Sequence, residues 1–276
     1  NAALLPEIPL EEFLPRQPIS LPAGPVEDLI RGKRILVTGA GGSIGSEIAR
    51  QMVQLGCGHL TLLDHSEFQL FEIDRELGGV TTAMTRRAVL ANVRDEARIR
   101  EVFEQERPEI VFHAAALKHV ALVENNPAEG VLTNVQGTWN VIRAATAARA
   151  AQFGLISTDK AVDPSNVMGA TKRIAETLLE LVPDSETRLS AVRFGNVLGS
   201  AGSVVPIFRD QIARGGPVTV THPDVNRYFM TIPEAVQLVL HSTAVKAARP
   251  DEGPSKFLLE MGEPVRIADL ARQMIE

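Results

Sequence analysis

From Lys33 to Arg193, short β-branched runs alternate with helical stretches of ten or more residues. A glycine-rich turn follows the first run, and after Arg193 the alternation gives way to Gly, Pro and short strands. Strands separated by helices imply βαβ units and a parallel sheet buried on both faces. The expected fold class is therefore α/β: a Rossmann-type, doubly wound parallel sheet with a smaller C-terminal lobe.

Positions 1–31 read as a linker. Pro6, Pro9, Pro15, Pro18, Pro22 and Pro25 interrupt it, and proline removes a backbone donor and breaks helix interiors. Leu4, Leu5, Phe13, Leu14 and Ile19 suggest a segment that packs on a surface. Ile35-Leu36-Val37 forms the first strand, and a helix runs from about Ser43 to Leu55. A second strand covers Leu60–Leu63, followed by a helix over 67–77, a strand over 86–91 and a helix over 95–106. Ile110-Val111-Phe112 is the fourth strand, 128–149 one long helix, and Phe153–Ile156 the fifth strand. Leu189–Arg193 closes the regular part, and helices follow near 232–246 and 266–275. The expected domains are the linker (1–31), a nucleotide-binding domain (32–195) and a substrate-binding lobe (196–276).

The 276 residues carry a net charge of −6 and are 45% hydrophobic. That suffices for a sizeable core and supplies no electrostatic reason for a nucleic-acid partner. Cys57 is the single cysteine, so an internal disulfide is excluded, in keeping with a reducing compartment. No apolar run reaches the ~20 residues of a membrane helix, and positions 1–30 lack the pattern of a signal peptide. The chain opens with Asn1 and is expected to be a fragment.

Gly39-Ala40-Gly41-Gly42-Ser43-Ile44-Gly45 lies between strand and helix. Glycines at 39, 42 and 45 let the backbone turn, approach a pyrophosphate and pack helix on strand. Ser43 and Ile44 open the helix, whose N-terminal N–H groups suit phosphate. Asp64, ending the second strand, is placed to accept from an adenosine ribose and to repel a 2′-phosphate, which favours NAD over NADP. Asp64 also reads as a helix cap before Ser66. Asn92 and Val93 end the third strand, where an adenine would lie. Ala114 and Ala115, after His113, admit either close cofactor approach or tight packing. His59, His65, His113, His119, His222 and His241 show no metal-ligand spacing, so no metal site is expected.

The glycine loop, His113–Ala116, Asn134, Lys172 and Arg193–Val197 resemble extended short-chain dehydrogenase/reductases acting on nucleotide sugars. More narrowly, Gly39–Glu47, Leu63–Phe68, Ala114–Val120, Ser157–Lys172 and Arg227–Ile232 are similar to the UDP-N-acetylglucosamine 4,6-dehydratases of bacterial polysaccharide and glycoprotein biosynthesis. The likeness spans about positions 10–276, and Ser157–Lys172 is its most specific part. One departure stands out: where the wider family has Tyr-x-x-x-Lys, this chain has Met168 and Lys172, and its single tyrosine is Tyr228. Members with Met there resemble the large membrane-anchored branch, in which a transmembrane region precedes a linker and the chain continues past the equivalent of Glu276. That implies a homo-oligomer at the cytoplasmic face of the bacterial inner membrane.

The resemblance further implies NAD as cofactor and UDP-N-acetylglucosamine, or a related UDP-sugar, as substrate. A hydride leaves C4, the resulting ketone acidifies the C5 proton, water is lost across C5 and C6, and hydride returns to C6. By carry-over, Lys160 is the C5 base, Asp159 the acid for the C6 hydroxyl, and Thr158 the group that binds the C4 oxygen and relays its proton. Lys172 serves the nicotinamide ribose. Met168 has no proton to exchange, which leaves the 4-hydroxyl proton to water or Asp159. Lys118, Asn134, Asn196, Val204, Pro206 and Arg227 are the expected substrate contacts. Lys160 requires a lowered pKa and Asp159 a raised one, and an ion pair between them would oppose both shifts. Thr158-Asp159-Lys160 also reads as a solvated turn, and Ser203–Pro206 as an extended connector. A UDP-hexose 4-epimerase and a catalytically silent NAD- or nucleotide-sugar-binding protein stay open as other functions.

Overall fold

A computed structural model describes residues 21–79, 84–182, 186–249 and 253–276. Residues 1–20 of the expected linker lie outside the described residues. Its end is helical: α1 (Gly24–Ile30) carries Pro25 in its first turn and buries Val26 and Ile30. Proline is tolerated there because a first-turn N–H has no intrahelical partner.

The chain then runs through β1 (Arg34–Thr38), α2 (Ser43–Gln54), β2 (His59–Asp64), α3 (Glu67–Gly78), β3 (Thr85–Leu90), α4 (Glu96–Glu106) and β4 (Ile110–His113). Helix starts follow local chemistry: Ser66 accepts from Gln69 N to cap α3, and Asp95 accepts from Arg98 N to cap α4. The single long helix expected over 128–149 is broken in the structure. α5 (Val120–Asn125) and α6 (Pro127–Gly130) lead into a π-helical stretch, Val131–Gly137, before α7 (Thr138–Ala147). The wider winding turns Asn134 and Gly137 inward, and hydrophobic periodicity alone does not distinguish it from an α-helix.

β5 (Gln152–Ile156), α8 (Val167–Leu178) and β6 (Arg188–Arg193) follow. Next come β7 (Asn196–Val197), α9 (Val204–Ala213), β8 (Asn226–Arg227) and β9 (Phe229–Met230). α10 (Ile232–Ala247), β10 (Ser255–Leu258), β11 (Val265–Arg266) and α11 (Ile267–Ile275) complete the chain. Ser203–Pro206 is not an extended connector. Ser203 sits at the cap position and the next three residues open α9.

Seven strands form one sheet in the order β10-β6-β5-β4-β1-β2-β3, all pairs parallel. Two windings start from the middle of this order, so the strand direction of travel reverses between β1 and β4, the position where open α/β sheets form a crevice. The core beneath is apolar: Leu36, Val111, Phe153 and Leu155 of the strands pack with Ile99, Phe103, Val141 and Ile142 of the helices. β3 is the outer strand and carries the exposed or half-exposed Arg86 and Arg87, charges that discourage edge pairing.

The chain forms two compact units. The first contains Leu21–Phe194 and Val236–Leu259; the second contains Gly195–Ala235 and Glu260–Glu276. The sequence places a boundary at 195/196 but does not show that 236–259 return to the first unit. They return because β10 pairs with β6, Phe257 opposite Val192. The second unit has its own core of Leu198, Val205, Phe208, Phe229 and Leu270, with β7 paired to β9 and β11 to β8. Among the described residues no helix is long and apolar enough to cross a membrane.

Phe153 is fully buried on β5. Phe153→Ala is expected to lower unfolding stability by about 3–5 kcal/mol, measured by urea denaturation. An unchanged midpoint would contradict its place in the core.

Candidate active site

The loop after β1 is built by close approach. Gly39 has φ +65°, and a Cβ there would lie 2.6 Å from Ala115 N. A Cβ on Gly45 would lie 2.0 Å from the Gly39 carbonyl oxygen, so α2 packs against the turn only without a side chain. The cap position of α2 is Gly42, so no side chain covers the helix start. Asp64, at the end of β2, is buried. Its Oδ2 accepts from Gly41 N at 2.9 Å and its Oδ1 from Ser66 N at 2.9 Å. One carboxylate thus ties the glycine loop to the turn that starts α3, and it retains further lone pairs for a ligand. Gly39, Gly42, Asp64, Asn92, Val93, Ala114 and Ala115 line one cleft of about 150 Å³. All seven were singled out in the sequence as cofactor contacts. Ser43, Ile44 and Gly45 open the helix beside it. Arg94 also lines the cleft, and it is bonded to Thr133 and paired with Glu129.

The neighbouring strand end is braced from below. His113 is fully buried, with Nδ1 2.7 Å from Thr38 Oγ1 and Nε2 3.0 Å from Thr138 Oγ1. Thr138 donates its own proton to the Asn134 carbonyl. Its oxygen must therefore accept from Nε2–H, which leaves Nδ1 to accept from Thr38. Burial, with the charge of Lys172 nearby, holds His113 down to about 3, a neutral ring at physiological pH. Asn134, expected to contact substrate, is bonded within the chain. Its Oδ1 accepts from Leu117 N, while Nδ2 donates to Leu117 O and to Thr171 Oγ1. The π-helical winding brings this carboxamide inward, and it fixes the loop that carries the exposed Lys118.

The remaining residues gather at the end of β5. Thr158-Asp159-Lys160 forms a tight turn running into a short 3₁₀ helix, with Asp159 N donating to Phe194 O. Thr158 Oγ1 donates to Asp159 Oδ1 at 2.9 Å, and Lys160 Nζ meets the same oxygen at 3.0 Å. This is an ion pair, and about two-thirds of each side chain is shielded from solvent. Asn166 caps α8 by accepting from Gly169 N. A Cβ on Gly169 would sit 2.5 Å from the Lys160 carbonyl oxygen, so α8 meets this turn through a glycine. Met168 is buried in the first turn of α8. One turn on, Lys172 donates to the Ile156 carbonyl oxygen at 2.8 Å, and burial pushes its ammonium down to about 8, against the pull of Glu176.

Sequence reasoning overlooked Glu176 itself. It is fully buried, takes a 2.5 Å hydrogen bond from Ser157 Oγ, and receives Arg193 Nε and a terminal guanidinium nitrogen at 2.8 and 2.5 Å. Its spacing of four from Lys172 was a signal available in the sequence. The other expected substrate residues belong to the second unit. Asn196 lies on β7, Val204 and Pro206 open α9, and Arg227 is exposed on β8, bonding the carbonyl of Asn226. No group of three or more His, Cys, Asp or Glu that could hold a metal occurs among the described residues.

Residues 35–276 match the polysaccharide biosynthesis protein family. The chain is 48% identical over 274 residues to the capsular polysaccharide biosynthesis protein CapD of Staphylococcus aureus, covering 98% of this chain and 45% of that protein. The chain thus spans about half the length of this relative. It is 34% identical to a UDP-glucose 4-epimerase of Rickettsia canadensis, over 76% of this chain and 62% of the epimerase. It is 33% identical to the inverting UDP-N-acetylglucosamine 4,6-dehydratase of Campylobacter jejuni, over 77% of this chain and 64% of that enzyme. Among solved structures, Pen from Bacillus thuringiensis superposes with a TM-score of 0.81 at 34% identity, covering 89% of this chain and 74% of that one.

His113 generates a pH prediction. Its folded pKa lies below the unfolded value near ~6.5, so below that pH the unfolded chain takes up a proton that the folded chain resists. Its contribution to stability is present above about pH 6.5 and is lost as pH falls toward about 3. Urea midpoints measured from pH 7 to pH 4 should fall more steeply in the parent protein than in His113→Gln; equal slopes would remove His113 as the cause.

Proposed function

We propose that this chain, which belongs to the polysaccharide biosynthesis protein family, catalyses the NAD-dependent 4,6-dehydration of a UDP-N-acetylhexosamine, with UDP-N-acetylglucosamine as the preferred substrate. The observation that carries this reading is the Thr158-Asp159-Lys160 constellation. A hydroxyl, a carboxylate and an amine are hydrogen-bonded in series at the carboxyl edge of the sheet. The same edge carries a cleft that suits a dinucleotide: no side chain over the start of α2, a turn that a Cβ would fill, and a carboxylate ending β2.

Gly39, Gly42, Ser43, Ile44, Gly45, Asp64, Asn92, Val93, Ala114, Ala115 and Lys172 would hold NAD. When bound, it supplies hydride acceptance and return, so no external oxidant is consumed. The acid of Asp64 disfavours a 2′-phosphate, which selects NAD over NADP. Asn196, Val204, Pro206 and Arg227 are assigned to the nucleotide part of the substrate.

The protein's own task is proton traffic, and the ion pair suits it better than its resting state suggests. Thr158 already donates to Asp159, so a proton leaving the C4 hydroxyl can pass through Thr158 to that carboxylate. Asp159 then becomes the acid that the C6 hydroxyl requires. The same transfer removes the negative charge beside Lys160. Lys160 releases its proton to solvent and, as a neutral amine, takes the C5 proton. Asp159 protonates the departing hydroxyl, and Lys160 later returns a proton to C5. Met168 needs no part in this relay, which accounts for a thioether in the position of a phenol.

A UDP-hexose 4-epimerase is the second reading, favoured by the identity to the Rickettsia enzyme. It shares C4 oxidation but loses no water and leaves C5 untouched, so the two separate cleanly.

The full-length protein, incubated with NAD⁺ and UDP-N-acetylglucosamine in D₂O, is expected to yield a sugar lighter by one water and carrying deuterium at C5, read by mass spectrometry. A product of unchanged composition without C5 label would instead establish epimerisation. Lys160→Ala is expected to retain NAD binding and lower dehydration about 10²–10⁴-fold; near-parental turnover would remove Lys160 as the C5 base. Asp159→Asn removes both the acceptor of the C4 proton and the C6 acid, so it should slow C4 oxidation and elimination together; elimination at the parental rate would reject Asp159 as the acid.

A further inference from the structure

The buried carboxylate of Glu176 has no part in the proton relay, yet it bonds Ser157, the residue next to the relay. α8 aligns Met168, Lys172 and Glu176 at intervals of four, one stripe of the helix, and all three are buried. Glu176 accepts from Ser157, the residue just before the reacting turn, and receives a two-pronged guanidinium from Arg193 at the end of β6. Ser157 N in turn donates to Val192 O, and Lys172 donates to Ile156 O. A single carboxylate therefore joins the ends of β5 and β6 to the helix that carries Lys172.

We infer that Glu176 is a positioning residue for the reaction, fixing the Thr158-Asp159-Lys160 turn through Ser157 and setting the charge of Lys172 across one helical turn. A planar Arg-carboxylate fork holds its two oxygens in one orientation, so Ser157 Oγ has a single place to donate. The turn follows directly after Ser157 and has little freedom of its own. The electrostatic part follows from proximity in a dry environment, where a negative neighbour favours the protonated amine.

Several charged groups surround Lys172. Glu176 lies on its own helix, with Arg193 behind it on β6. His113 faces it from β4, neutral as argued above. Asp159 and Lys160 form the turn packed on α8, and Glu124 of α5 binds Val167 N at the far end of the helix's first turn. Lys172 is held down to about 8 by burial, with Glu176 as the opposing influence. Removing that charge must lower it further.

This inference deepens the reading of the site given above and rests on it for its kinetic arm only. In Glu176→Gln, which keeps the shape and loses the charge, the Lys172 side-chain NMR titration is expected to move to lower pH by about one unit. The resonance is assigned by its loss in Lys172→Met. In the same variant the alkaline limb of the dehydration profile should move in the same direction, and kcat should fall about tenfold or more with little change in the KM for NAD. If the single variant fails to fold, Glu176→Gln combined with Arg193→Gln removes the stranded guanidinium as well and is expected to show a displacement in the same direction but smaller. An unchanged Lys172 titration in either folded variant overturns the inference. A displaced titration in a parent protein that performs no dehydration would sink the functional reading and leave the link between Glu176 and Lys172 standing.

Discussion

A parallel sheet brings the carboxyl ends of all its strands to one edge, and the backbone groups left unpaired there need partners from elsewhere. In this protein side chains supply them. Asp64 pairs the glycine loop and the next turn, Asn134 pairs both polar groups of Leu117, and Lys172 takes the last carbonyl of β5. The bonds of Asp64 to Gly41, of Asn134 to Leu117 and of Lys172 to Ile156 also join segments 16 to 23 residues apart, so satisfying the backbone and shaping the cleft are one event. Thr38, His113, Thr138 and Asn134 form a continuous chain of such bonds beneath the crevice.

Two acid-base pairs sit close together and differ in kind. Glu176 and Arg193 are buried in a two-pronged contact, where separation would strand a charge away from water. Asp159 and Lys160 share one short contact and keep about a third of their surface in solvent, so their protonation can respond to what binds above them. The first pair suits a frame and the second suits chemistry, and both contact geometry and depth of burial distinguish them.

The legibility of the sequence followed the same division. Strands such as Ile35-Leu36-Val37 and Phe153–Ile156 were readable because a strand buried on both faces is apolar throughout, and the glycine loop because only glycine tolerates its contacts. The cleft-lining residues were readable by position at strand ends. Three features were not. The π-helical stretch 131–137 has the apolar pattern of an ordinary helix. β10 is four residues long and alternates with solvent on its outer side, which resembles a loop. Glu176 looked like one more polar residue on a helix, since nothing local announces that its partner lies on β6. Asn134 was noticed for its place on the helix that borders the site, and only the structure shows its amide bonded to Leu117 and Thr171.

The return of residues 236–259 to the first unit has an evolutionary and practical corollary. The chain passes between the two units after Phe194, after Ala235 and after Leu259, so neither unit is a contiguous stretch of gene. A cut near 195, the natural choice from sequence, would take β10 away with the second unit and leave the outer face of β6 as an unpaired edge. The two units can therefore be inherited, shuffled or expressed only as a set. Change in the second unit has to arise by substitution or by insertion within its own segments, and not by exchange of a contiguous module.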